Sequence, residues 1–93
     1  MKKFVIEREI PGLGDMTAEQ LQAISQASCN VVSGLGKPYH WIESFVTNNK
    51  MYCIHIAESE DVVREHAING GFPVTSIAEV KTMIDPTTST PLN

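Results

Sequence analysis

Two runs rich in aromatic and β-branched residues, 40–47 and 50–57, flank the pair Asn48-Asn49. Asparagine tolerates the positive φ that a two-residue hairpin turn demands, so this stretch predicts a β-hairpin at the middle of the chain. A central hairpin narrows the topology, because what precedes and follows it must cover the same two strands. A two-residue turn also sets a register. It puts Phe45 opposite Tyr52, Glu43 opposite Ile54 and Trp41 opposite Ile56 on one face, with Ile42, Ser44, Val46, Met51, Cys53 and His55 on the other.

The flanks repeat one motif. Residues 2–10 alternate, with Phe4, Ile6, Arg8 and Ile10 on one side and Val5, Glu7 and Glu9 on the other, and Pro11-Gly12-Leu13-Gly14 ends this strand. Thr17 and Gln20 have capping-box spacing, and Leu21, Ile24, Ser28, Val31, Val32 and Leu35 recur at helical intervals, predicting a helix from about Thr17 to Ser33 that stops at Gly34 and Gly36. After the hairpin, Ser59 is a suitable N-cap, and Glu60 and Asp61 suit the positive end of a helix dipole. Val62, Val63, His66 and Ala67 share one face of this second helix, which ends at Gly70-Gly71 with Pro73 beyond. Residues 75–84 supply a last strand, and residues 87–93 read as a polar tail after a domain spanning 1–86.

The order β-α-β, β-α-β predicts an α+β ferredoxin-like sandwich, a four-stranded antiparallel sheet with two helices on one face. The other face then carries Trp41, Phe45 and Tyr52 without cover. Apolar patches of that kind are seldom left bare, so a homodimer packed sheet to sheet, or a ligand, is expected there.

Composition removes several classes. Ninety-three residues allow one modest core, and two cysteines, Cys29 and Cys53, fall within apolar periodic segments and read as reduced thiols in the layer between helix and sheet. No apolar run reaches a membrane span and Lys2-Lys3 leads directly into a charged strand, so a membrane partner is not expected and the cytoplasm is the expected location. Net charge is −4 and the seven basic residues are scattered, which argues against nucleic acid as a partner.

The residues that could carry chemistry each have a plainer alternative. His66 faces the same side of its helix as Val62 and Val63, so it is either a packed, hydrogen-bonded histidine or a metal ligand or proton acceptor at a cleft. His40 and His55, with Glu43 and Glu58 near in sequence, form either a solvated edge or an imidazole–carboxylate set suited to nickel or zinc. Glu7, Arg8 and Glu9 charge a central strand, where they form either an Arg–Glu network or the polar lining of a ligand site. Gly70-Gly71-Phe72-Pro73 follows a helix and reads as a helix stop, not a phosphate loop. No hydrolase, redox or nucleotide-binding motif is present.

Phe-Val-Ile-Glu-Arg-Glu at 4–9, Trp41, Tyr52-Cys53, Val63-Arg64-Glu65-His66-Ala67, Gly70-Gly71-Phe72-Pro73 and Asp85-Pro86 together resemble a bacterial family of short proteins described as nickel-responsive or nickel-binding. The resemblance extends from Lys3 to Pro86. It implies a ferredoxin-like fold, a homodimer and nickel ions bound at the dimer surface. Three functions follow as expectations. The first is a non-enzymatic dimer that takes up divalent metal, nickel foremost, through His66, His55, His40 and Glu65. The second is a small-molecule-binding module or enzyme of the dimeric α+β barrel type, with Trp41, Phe45 and Tyr52 as pocket walls and Glu7, Arg8 or His66 as polar contacts. The third is a pure assembly domain.

Overall fold

The computed structural model describes residues 1–92. Four strands, β1 (Lys2–Glu9), β2 (Tyr39–Val46), β3 (Lys50–Ala57) and β4 (Ser76–Glu79), form one antiparallel sheet in the order β2-β3-β1-β4. Two helices, α1 (Ala18–Gly34) and α2 (Glu60–Gly70), cover one face of it. This is the ferredoxin-like sandwich that the element order predicts. Asn93, the last residue of the expected tail, lies outside the described residues.

The period of two in β1 decides which side chains go inward. Phe4, Ile6 and Arg8 are buried beneath the helices and alternate with Val5 and Glu7 on the open face. Across the β1–β3 pairing, Met51, Cys53, His55 and Ala57 join them. Leu13, Leu35, Tyr39, Val62 and Val63 complete the core. The capping box at α1 forms as its spacing predicts: Thr17 Oγ1 accepts from the Gln20 amide and Gln20 returns the bond to the Thr17 amide. Ser59 occupies the N-cap of α2, but its side chain makes no capping bond.

Four local expectations need correction. Asn48 and Asn49 turn the hairpin without positive φ, since only Gly12, Gly36 and Gly71 adopt it among the described residues. The turn is instead held from outside. Its Asn48 and Asn49 carbonyls accept from the amides of Gly14 and Ile10, and Asn49 Oδ1 accepts from the Gly12 amide. Second, β2 carries a bulge between Trp41 and Glu43, so Trp41 lies opposite His55 and His40 lies opposite Ile56. The bulge moves Trp41 from the open face to the helix side, where its indole N–H donates to Ser44 Oγ at 2.9 Å. Third, the last strand is four residues long: its pairing with β1 runs from Glu7↔Ser76 to Phe4↔Glu79, and beyond it the Lys3 carbonyl accepts from the Val80 amide. Fourth, Cys29 is exposed; only Cys53 points into the layer. The C-terminal segment also opens with a 3-10 turn, Pro86–Ser89, capped by Asp85.

The open face carries Val5, Tyr52, Ile54, Ile56 and Phe45, of which Phe45 is 53% exposed.

Because a Cβ on Gly14 would stand 2.8 Å from Asn48 Cα, Gly14→Ala forces the hairpin turn away from its dock. The expected cost is about 1–3 kcal/mol, read as a lower urea midpoint at unchanged m.

Candidate functional site

Helix α1 does not close tightly on the sheet. Ser28 is its one buried residue, and Leu21 and Ile24 are only partly covered. Between helix and sheet lies a cavity of ≈ 150 Å³ with walls from Leu21, Ile24, Val46, Met51 and Cys53. Six polar residues also line it: Arg8, Ser25, Ser28, Ser44, His55 and His66.

Arg8 is the least expected of these, because it is 3% exposed and carries a full charge. One guanidinium nitrogen donates to the Pro73 carbonyl at 2.8 Å, and its carbon stands 5.5 Å from the Phe72 ring centroid, a cation–π distance. Among the described residues no carboxylate pairs with it. The partners come from the segment that ends α2. Gly71 (φ 68) closes the helix, and the Phe72 amide bonds back to the Ala67 carbonyl at 2.8 Å. A Cβ on Gly70 would lie 2.2 Å from the Phe72 ring. Gly70-Gly71-Phe72-Pro73 therefore stops a helix and also seats a cation.

The two histidines are 1% exposed and lie at right angles to Tyr39 or stacked on it. Their ring centroids are 5.1 Å apart. His66 Nε2 bonds Ser28 Oγ at 3.1 Å, while its buried Nδ1 has no hydrogen-bond partner among the described residues. His55 Nδ1 bonds the Tyr39 hydroxyl. Burial raises the Tyr39 pKa, so the phenol stays protonated, donates to Nδ1 and leaves the His55 proton on Nε2. Burial, then the His66 and Arg8 charges, pushes the His55 pKa down to about 3. Burial and Arg8 push His66 down to about 4. Both rings are neutral at pH 7.

Ser28 and His66 have the spacing of a nucleophile and its base, but no acidic group orients Nδ1, and a base of pKa about 4 attracts a proton weakly at neutral pH. This geometry does not favour proton transfer.

A family model described as "Nickel responsive protein SCO4226-like" matches residues 4–80. The chain belongs to this family. SCO4226 from Streptomyces coelicolor A3(2), known from a crystal structure, superposes with a TM-score of 0.74 at 20% identity, covering 88% of this chain and 99% of that one. At that identity the likeness shows a shared fold. No curated protein sequence matches the chain.

The description of the SCO4226-like family names nickel, so the cavity's donors bear on whether a divalent ion fits. Imidazole suits nickel, and His55 and His66 are adjacent. No group of three or more His, Cys, Asp or Glu side chains converges among the described residues, however, and Arg8 adds a positive charge to the same space. The cavity does not fit a divalent cation. Nor is any helix among the described residues long and apolar enough to cross a membrane.

The residues singled out from sequence divide into three places in this SCO4226-like chain. His55, His66, Arg8 and Trp41 line the cavity. Phe45, Tyr52 and Glu7 lie on the open face with the exposed His40, and Glu7 pairs with Lys50 at 3.8 Å. Glu65 lies on the outer side of α2, in an ion pair with Lys37 at 2.7 Å. The Arg–Glu network within β1 does not form, since Arg8 and its glutamate neighbours point to opposite faces. A single pocket combining Trp41 and Arg8 with Phe45, Tyr52 and Glu7 is ruled out for the same reason, aided by the bulge. Ser28 and Phe72 belong to the site without having been singled out for it. Ser28 had a visible signal, as the one polar residue in the apolar stripe of α1.

Because His55 and His66 ordinarily titrate near 6.5, the unfolded chain binds more protons than the folded one below that pH. Their contribution is complete above pH 6.5 and is lost as pH falls toward 4 and then 3. Denaturant titrations should show stability falling between pH 6.5 and 4.5 by up to about 2.7 kcal/mol per pH unit for two protons, and His66→Gln should roughly halve that slope. A flat profile across this window would contradict neutral burial.

Proposed function

We propose that this chain is a non-enzymatic, homodimeric, cytoplasmic binding protein that encloses a small molecule between α1 and the sheet. The observation that carries the reading is the buried guanidinium of Arg8, lacking a carboxylate partner among the described residues, beside a cavity of ≈ 150 Å³. A cavity of that size accepts a ligand about as large as benzene. Pockets of this kind combine apolar walls with a few convergent polar groups, and Leu21, Ile24, Val46 and Met51 around Arg8, Ser28, His55 and His66 have that composition. The weak basicity of His66 supports binding over catalysis.

The open face supports the dimer. Phe45, Tyr52, Ile54, Ile56 and Val5 form an apolar surface with no helix over it, and a second copy would cover it under two-fold symmetry. The scattered basic residues and net charge of −4 support a partner other than nucleic acid.

The family description supports a second reading, in which the dimer also binds nickel. A metal site would then draw ligands from two copies. His40 and Glu43 lie on the open face, where the sheets would meet, and supply the imidazole and carboxylate such a site needs.

Two measurements decide between these readings. NMR titration with toluene should shift amides around Ser28, His55 and His66, and Ile24→Trp, which fills the cavity, should abolish the response while leaving the spectrum folded. Those amides unmoved by toluene and equally by its polar counterparts benzamide and benzoate would end the pocket reading. Thermal-shift titration with nickel, zinc, cobalt and magnesium tests the second: a nickel-selective rise in Tm lost in His40→Ala supports it, and no shift with any ion removes it. Sedimentation of wild type and Phe45→Glu tests the dimer, with the variant expected to be monomeric.

A further inference from the structure

The geometry points to a small carboxylate with an apolar body as the occupant of the cavity under α1, its oxygens held by Arg8. This rests on the pocket reading above and specifies the chemistry of its ligand.

Charge is the first argument. The cavity lining contains a guanidinium and two imidazoles but no Asp or Glu. A buried charge is stable only when paired or well hydrogen-bonded. Arg8 spends one donor on the Pro73 carbonyl, and the Phe72 ring offers its π face. A guanidinium has five N–H groups in a planar fork that matches a carboxylate, so most of its donor capacity remains for a ligand. An entering acid would bring the missing negative charge.

Donor polarity is the second argument. The Tyr39 hydroxyl holds His55 Nδ1 as an acceptor, which leaves Nε2–H as a donor. Ser28 adds a hydroxyl at the other side of the two rings, bonded to His66. The lining therefore offers a cation and an N–H, a set complementary to two carboxylate oxygens and repellent to a metal cation.

Size and wall chemistry are the third. Leu21, Ile24, Val46 and Met51 offer nothing to a strongly hydrated inorganic anion, whereas they suit a hydrocarbon ring or branched chain. At ≈ 150 Å³ the space accommodates one ring of about six carbons with its acid group, and not an extended fatty chain.

The test uses the whole chain at pH 7.5 and three probes of nearly one shape: benzoate, neutral benzamide and toluene. Calorimetry gives affinities and amide shifts give the location. Benzoate should bind at least tenfold more tightly than benzamide, with shifts centred on Ser28, His55 and His66. Arg8→Gln should erase that preference, and Arg8→Lys should retain part of it. Benzamide binding as tightly as benzoate, or benzoate shifts confined to another surface, overturns the inference. Toluene or benzamide binding in the cavity alongside a silent benzoate leaves the pocket standing and removes the carboxylate. Failure of all three to bind removes both. Should Arg8→Gln not fold, the benzoate-to-benzamide ratio on the native chain decides the matter alone.

Discussion

Burying the Arg8 guanidinium is the constraint around which the layer between helices and sheet is arranged. A charge that is 3% exposed has to be met by fixed dipoles and polarizable faces, and no neighbouring strand supplies them. The end of α2 does. Gly70 must lack a side chain for Phe72 to fold back, Gly71 must take positive φ for the chain to turn, and Pro73 then presents its carbonyl to the guanidinium. The same positive charge helps hold His55 and His66 neutral, and neutral imidazoles can be buried against Tyr39 and Ser28 without further partners of opposite charge. Helix stop, cation seat and histidine pair are thus one arrangement.

Most of the fold was legible because it rests on local periodicities. Alternation in β1, the capping box at Thr17, the hairpin at Asn48-Asn49 and the double glycine after α2 each announce an element within a few residues of its observed limits. The failures share a cause. The missing positive φ of the turn depends on bonds from Ile10, Gly12 and Gly14, which lie more than thirty residues away in sequence. The extent of β4 depends on its pairing with Phe4–Glu7 of β1, at the far end of the sequence. Neither constraint leaves a mark in the segment it governs.

The candidate site was half legible, and in an instructive form. Arg8 interrupts an apolar strand face, Ser28 an apolar helix stripe, His55 the inward face of β3, and His66 the inward face of α2. Each taken alone reads as a tolerated core exception. Four exceptions on four elements that converge on one cavity are a different signal, and only the topology brings them together. The shared architecture with SCO4226 at 20% identity fits this picture, since a sandwich specified by periodicity can persist while the inward polar positions change.

The bulge in β2 has a consequence for how such sites diversify. A strand shows its two faces by parity, so one supernumerary residue inverts every side chain on its far side while leaving the hydrogen-bonded ladder and both neighbouring strands in place. Here the inversion brings Trp41 indoors and sends His40 out. Gain or loss of a single codon at Ile42 would exchange the contents of the interior and the exterior surface in one step, with the scaffold kept. A lineage carrying this sandwich can therefore trade an enclosed pocket wall for a surface ligand without passing through an unfolded ancestor.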